Sequence, residues 1–99
     1  MIRVEITNDA MADLQDGFWF YESLETGLGD YFSSCLRADI DRLKISGGYH
    51  RCIFGSYRRL LGSVFPFGIF YTFENNTARV WAVIDCRRDP DWIRNHLGS

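Results

Sequence analysis

The sequence contains only two prolines, one lysine and three cysteines, and it has no long apolar run. With 46% hydrophobic residues and so little proline, it is neither disordered nor collagen-like. No stretch approaches the roughly 18 apolar residues of a membrane-spanning helix, so we expect no membrane partner. The first residues alternate in polarity and do not form the apolar core of a signal peptide. We therefore expect a cytoplasmic protein whose residues 1–99 form one domain.

The few cysteines follow no metal-binding or disulfide pattern. Cys35, Cys52 and Cys86 are an odd number, without Cys-x-x-Cys spacing or clustered histidines. Each lies in an apolar stretch, which favours the interpretation that all three are small buried hydrophobic side chains. The glycines form no phosphate-binding loop. We expect no metal and no cofactor.

The charge is unevenly distributed along the chain. The net charge of −2 and the pI near 5.6 argue against a protein that binds mainly nucleic-acid phosphate, so no direct DNA binding is expected. Residues 1–48 carry four basic and nine acidic side chains, whereas residues 49–99 carry seven basic and four acidic ones. Ten of the eleven basic residues are arginine, which favours planar, bidentate or stacked contacts.

The hydrophobic periodicity predicts an α+β fold. A strand is predicted over 2–7, a helix from the Thr7-Asn8-Asp9 cap to Gly27, and a second helix from Leu28 to Gly47. The short link between the helices predicts an antiparallel helical hairpin. Further strands are predicted over 52–54, 57–65, 67–74 and 79–86, with a turn at Asn75-Asn76 and a short helix from Pro90, docked by Trp92 and Leu97.

This order predicts a mostly antiparallel sheet with the helices on one face. In the last strand, alternation places Ala78, Val80, Ala82, Ile84 and Cys86 on one apolar face.

Two pairs of arginines could form a binding surface. Arg58 and Arg59 are adjacent on one predicted strand, and Arg87 and Arg88 end the last strand, in the part of the chain that contains Trp81. If one arginine of each pair converges on the same face, the patch suits phosphate or carboxylate recognition. The alternative is that they form ion pairs with nearby aspartates and the acidic helices.

Four consecutive aromatic residues, Phe18 to Tyr21, cannot all lie on one face of a helix. Trp19 or Phe20 must face elsewhere, either into a groove that binds a protein or against a second packing surface. Neither His50 nor His96 has the neighbours of a catalytic triad, so we expect surface or capping roles for both. The carboxylate pairs Asp13/Asp16 and Asp39/Asp41 are expected to be solvated on helix surfaces.

Several ordered segments together resemble a known family over almost the whole chain. They are Trp19-Phe20-Tyr21-Glu22, Gly27-Leu28-Gly29, Gly55 to Leu61, Phe65 to Tyr71, Val80 to Val83 and Arg87-Arg88-Asp89-Pro90. In these segments the sequence resembles the ParE branch of the RelE/ParE toxin superfamily.

The resemblance implies the toxin of a type II toxin-antitoxin pair, which forms a hetero-oligomer with a cognate antitoxin and inhibits DNA gyrase. On this basis the expected antitoxin contacts are Leu14, Phe18, Trp19, Phe20, Phe32 and Arg79. The expected target contacts are Arg58, Arg59, Arg87, Arg88, Trp81 and Trp92.

The RelE branch of the superfamily implies an alternative, a ribosome-dependent mRNA endoribonuclease. Arg58 matches the arginine of the Gly-x-Tyr-Arg strand in that branch, and Arg87 or Arg88 matches the one near the end of the last strand. The departures are at positions 50–52, where the expected lysines are replaced by His50, Arg51 and Cys52, and in the tail, which offers Trp92 and His96 in place of a tyrosine. Without an evident acid and base, we expect a non-catalytic toxin. A nuclease would use Arg58, Arg88 and either His50 or His96.

Overall fold

The computed structural model describes residues 1–98. Over that range the chain forms five strands and four helices, in the order β1 (Arg3–Ile6), α1 (Asn8–Leu24), α2 (Leu28–Asp41), α3 (Leu43–Ser46), β2 (Cys52–Phe54), β3 (Tyr57–Leu61), β4 (Phe67–Glu74), β5 (Thr77–Asp85) and α4 (Pro90–Gly98). This order confirms the predicted α+β class.

The strands form one mostly antiparallel sheet in the order β1-β5-β4-β3-β2. Only β1 runs parallel to its neighbour β5, and the other pairs are antiparallel. The turn between β4 and β5 is made by Asn75 and Asn76, whose φ angles of 52° and 57° are positive. Asparagine adopts this conformation more readily than most residues, and two such residues join tightly paired strands.

The helices α1 and α2 form the predicted antiparallel hairpin. The side chain of Thr7 accepts the N–H of Ala10 at the start of α1. At the other end, the Glu22 carboxylate accepts the N–H groups of Gly27 and Gly29 and closes the connection. Gly27 has a φ of 92°, which a residue with a Cβ atom adopts only with strain.

The two helices approach closely at Gly17 of α1. A Cβ atom there would lie 2.4 Å from the ring of Phe32, which is fully buried in α2. The Phe32 ring packs against Tyr21, Phe65 and Phe67 and joins the helical hairpin to the sheet. The main core therefore lies between this hairpin and one face of the sheet, the hairpin face.

Strand β5 carries one extra residue relative to β4. Tyr71 lies opposite Val80. Phe70 lies opposite Ala82, so Trp81 is the unpaired residue of a β-bulge. Because side chains alternate between faces along a strand, the extra residue reverses the pattern beyond it. The core on the hairpin face contains Ala78, Val80 and Val83, whereas a second core contains Ala82 and Ile84.

The predicted single apolar face of the last strand, made of Ala78, Val80, Ala82, Ile84 and Cys86, is therefore wrong. The second core lies on the opposite, outer face of the sheet, where Ile93 and Leu97 of α4 pack against Phe70. The prediction that the helices share one face is wrong for α4 for the same reason. Leu97 docks α4 as predicted, but Ile93 is the second buried contact and Trp92 remains 39% exposed.

The cysteines are all free, as expected, but they are not all buried. Cys35 and Cys86 are partly buried, whereas Cys52 is exposed. Cys52 lies on β2, the edge strand of the sheet, which is why the apolar stretch around it does not bury it.

A buried carboxylate joins the end of α2 to the loop after β3. Asp39 is 2% exposed and accepts the backbone N–H and the hydroxyl of Ser63, together with a guanidinium N–H of Arg42. These bonds hold Ser63 against α2, and β3 ends at Leu61, not at the predicted residue 65. The expectation of a solvated Asp39 is wrong, and the predicted second helix is divided into α2 and the single turn of α3.

Replacing Asp39 with alanine is expected to lower the free energy of unfolding by about 2 kcal/mol, because three buried or half-buried donors lose their acceptor. Urea unfolding measures this change. Asp41→Ala is the matched control: Asp41 pairs with Lys44 on the surface of the same turn, and its loss should change the free energy by less than about 0.5 kcal/mol. Equal effects of the two substitutions would contradict the assignment.

Candidate functional site

A cleft lies between α1 and α4, along the half of β5 that β1 does not cover. β1 pairs only with Thr77 to Val80, which leaves the rest of that strand edge open. Asp13 of α1 covers part of this edge, since its Oδ2 accepts the N–H of Val83 at 3.0 Å. A helix side chain thus takes the place of a neighbouring strand.

Asp13 is not the solvated carboxylate that the helical pattern indicated. Its side chain is 18% exposed, and burial raises its pKa. The hydrogen bond from Val83 and the nearby imidazole of His96 oppose this rise. The second oxygen, Oδ1, lies 3.9 Å from His96 Nε2.

The opposite wall of the cleft is a column of three side chains at or near α4. The rings of Trp92 and His96 stack at 4.9 Å with an interplanar angle of 9°. The Arg88 guanidinium lies 4.3 Å from the centre of the Trp92 ring. A guanidinium so placed is attracted to the π-electrons of the indole.

The cleft has a volume of about 420 Å³ and carries both signs of charge. It is lined by Asp13, Asp16, Gly17, Phe20, Phe67, Val83, Ile84, Asp85, Arg88, Trp92 and His96. Asp85 is partly neutralised by Arg87, whose guanidinium lies 2.6 Å away and lowers the pKa of the carboxyl group. Aromatic rings beside mixed charges suit a protein side chain that is both apolar and charged.

Arg58 forms hydrogen bonds within the protein. Its guanidinium donates to the carbonyl oxygens of His50 and Gly48 at 2.6 and 3.2 Å. These bonds hold the loop between α3 and β2. The buried Tyr71 holds the same loop by donating its hydroxyl to Gly47, and burial raises its pKa to about 12.

His50 is half-buried and belongs to the same network. Its Nδ1 lies 2.9 Å from the Tyr71 oxygen. Because the tyrosine proton is donated to Gly47, Nδ1 must be the donor in this contact. Burial, Arg42 and Arg58 lower the pKa of His50, so its neutral form is favoured.

The four arginines predicted to act together have different surroundings. Arg59, next to Arg58 on β3, points to the outer face near Gly68 and Cys86. Arg87 is paired with Asp85, as the ion-pair alternative predicted. Within residues 1–98, Arg59 and Arg88 have no carboxylate partner, and Arg88 rests on Trp92.

Arg58 and Arg88 do not meet. Arg58 lies opposite Tyr71, whereas Asp85, close to Arg88, lies opposite Phe67, about 13 Å farther along β4. The side chains expected to serve a nuclease are therefore divided into two groups, one at His50 and the other at His96.

The fold has a counterpart among solved structures. No protein-family model matches the sequence. No curated protein matches it either. A chain of the chromosomal ParDE TA system from P. aeruginosa superimposes with a TM-score of 0.77 and 17% identity, covering 86% of this chain and 96% of that chain. The fold is ParE-like. This likeness confirms the architecture that the family resemblance implied.

In the ParE-like fold, the residues expected to contact an antitoxin are divided between core and surface. Leu14 and Phe32 lie inside the core, with 4% and 0% of their surface exposed, and Phe18 is half-buried. Trp19 and Phe20 are 61% and 56% exposed, because they lie off the buried stripe of α1. Other exposed apolar side chains of the helical hairpin, which the sequence argument did not select, are Met11, Leu24 and Tyr31.

Arg79 and Trp81 lie together on the outer face. The Arg79 guanidinium pairs with Glu5 at 2.9 Å and lies 5.7 Å from the centre of the Trp81 ring. The Trp81 indole donates to Thr72. Both side chains are therefore fixed by neighbours within the ParE-like fold.

Two further features of residues 1–98 are the length of the helices and the grouping of metal-ligating side chains. None of the helices described there has the length and apolar character needed to cross a bilayer. In the same range, His, Cys, Asp and Glu side chains do not gather in groups of three or more that could hold a metal ion.

Arg58→Ala is expected to lower the free energy of unfolding by about 1 to 2 kcal/mol, because two loop carbonyls lose a charged donor. Arg59→Ala, on the adjacent residue of the same strand, removes no hydrogen bond and should change it by less than about 0.5 kcal/mol. Urea unfolding of the two variants compares them directly. A smaller loss for Arg58→Ala than for Arg59→Ala would contradict this structural role.

Proposed function

We propose that the chain is the toxin of a type II toxin-antitoxin system and acts by binding protein. The ParE-like fold supports this proposal, together with the family resemblance that extends over almost the whole sequence. The division of the nuclease candidates into two separate groups favours protein binding over RNA cleavage.

We further propose that the target is DNA gyrase, which implies a cytoplasmic protein. The single observation that carries this choice of surface is the stack of Arg88 on Trp92. Arg88 has no carboxylate partner within residues 1–98, and Trp92 is 39% exposed. Tryptophan and arginine contribute most to binding at protein interfaces, because they combine large apolar area with directed hydrogen bonds.

A different surface is proposed for the antitoxin. Trp19, Phe20, Leu24 and Tyr31 expose apolar area on the helical hairpin, and a groove of about 410 Å³ runs between α1 and α2 beside Phe18. An antitoxin segment with apolar side chains would cover this area. Phe20 also lines the α1–α4 cleft, so an antitoxin bound there would reach the edge of the target surface.

The purified chain is expected to inhibit supercoiling by gyrase. The double substitution Arg88→Ala with Trp92→Ala should raise the concentration needed for inhibition at least about tenfold, because each side chain at the centre of an interface contributes about 1 kcal/mol or more. Arg37→Ala is the control, since Arg37 is an exposed arginine of α2 that also lacks a carboxylate partner in residues 1–98.

Inhibition that survives the double substitution would contradict the proposed surface. A wild-type chain without effect on gyrase would contradict the proposed target. If expression instead creates new 5′ ends on translated mRNA, the RelE-like nuclease becomes the better explanation.

The protein encoded beside the toxin gene is expected to bind the chain and relieve growth arrest. Trp19→Ala with Leu24→Ala should weaken this binding at least about tenfold while gyrase inhibition is retained, because both side chains lie on the helical hairpin and neither lines the α1–α4 cleft. Calorimetry measures the affinity. Leu61→Ala is the control, an apolar side chain of similar exposure (55%) at the end of β3. Equal losses in both variants would contradict the assignment.

A further inference from the structure

Two sets of contacts hold α4, and they differ in kind. At its C-terminal end, the Tyr57 hydroxyl donates to the Leu97 carbonyl at 3.1 Å, and Ile93 and Leu97 are buried on the outer face. On its other side, α4 meets α1 only through polar and aromatic groups of the cleft, with His96 facing Asp13 at 3.9 Å. The apolar contacts do not change with pH, whereas the contact with Asp13 depends on the charge of both partners.

The hydrogen bond to Val83 does not require a charge on Asp13. An amide oxygen, as in asparagine, also accepts an N–H and avoids the cost of burying a charge. A cation that faces the carboxylate offsets this cost. Within the cleft, the cation closest to Asp13 is His96 when it is protonated.

The groups around His96 carry both signs of charge. From α1, Asp13 and Asp16 face the cleft, with Asp9 farther along the helix. Asp85 and Arg88 face the cleft near the end of β5, and Asp85 is paired with Arg87. From α4 itself, the Trp92 ring stacks on the imidazole and attracts a cation. Of these carboxylates, that of Asp13 lies 3.9 Å from the imidazole.

We propose that Asp13 and His96 form a protonation-dependent clasp that positions α4, and with it Arg88 and Trp92, against α1. Only the consequence for target binding rests on the proposed function. The clasp is closed when His96 is charged and Asp13 is ionised. The ion pair is therefore lost when the imidazole is neutral. Asp13 and His96 act as positioning residues.

Amide hydrogen exchange of the α4 residues Ile93 to Leu97 tests the clasp in the isolated protein. After correction for the intrinsic rate, the opening equilibrium of α4 should increase about threefold between about pH 5.5 and about pH 8.5, because a half-exposed ion pair is lost. The amides of β4 report global unfolding, which also breaks the clasp, so they should show the same change, and the reference is the Asp13→Asn variant, which lacks the ion pair.

Three substitutions separate the clasp from general stability. Asp13→Asn keeps an acceptor for Val83 and should abolish the pH dependence of α4 opening. His96→Lys provides a permanent cation and should keep α4 closed over the whole range. Asp30→Asn, which removes an exposed carboxylate of α2 away from the cleft, should leave the wild-type pH dependence in place.

A pH-independent wild type would overturn the proposal, as would pH dependence retained in Asp13→Asn. The measurement contains no gyrase, so its result does not depend on the proposed target. Conversely, a chain with the expected pH dependence that does not inhibit gyrase would refute the proposed function and leave the clasp intact.

Discussion

The structure depends on one extra residue in β5. Without the bulge at Trp81, Ala82 and Ile84 would face the helical hairpin together with Ala78 and Val80, and the core on the outer face would lose both side chains. With it, the first half of β5 packs beneath α1 and α2, and the second half also supplies Ala82 and Ile84 to α4. A chain of about 100 residues buries little surface, so the second small core is a large part of what holds α4.

The acidic first half and the basic second half of the sequence occupy different regions of the fold. The acidic side chains of the first half lie mainly on the helical hairpin, and the arginines of the second half lie on the sheet and the segment that leads to α4. The two sets meet in the cleft, where carboxylates of α1 face Arg88 and His96. Most of the arginines are engaged by neighbours, so the basic surface is smaller than the sequence indicated. Arg58 is the clearest case, since its guanidinium donates hydrogen bonds to the carbonyl oxygens of Gly48 and His50.

Local features could be predicted from the sequence, and features that join distant segments could not. The helical hairpin and the Asn75-Asn76 turn follow from periodicity and from backbone conformations that particular residues favour. Asp39 and Asp13 looked like solvated helix residues because their partners, Ser63 and Val83, lie 24 and 70 positions away. The bulge leaves no mark in the composition of β5, because neither glycine nor proline accompanies it.

The same contrast between local features and contacts of distant segments applies to the candidate site. The sequence singled out the aromatic run of α1 and the arginines near Pro90 as candidates, but which of them have partners depends on neighbours that the sheet brings together. Trp92 and Arg88 lie four residues apart and meet because the chain turns into α4 between them. Arg58 and Arg59 are adjacent in sequence but lie on opposite faces.

Asp13 also has a consequence for association between chains. An uncovered strand edge presents free N–H and C=O groups that pair with the edge of another molecule, and this pairing is a common start of aggregation. By accepting the N–H of Val83, Asp13 removes a donor from the part of β5 that β1 leaves open. A charged group at a sheet edge also disfavours pairing with an apolar strand, because the charge would lose its remaining contact with water. The Asp13 carboxylate, which faces α4, therefore hinders the pairing of another strand with the open edge of β5.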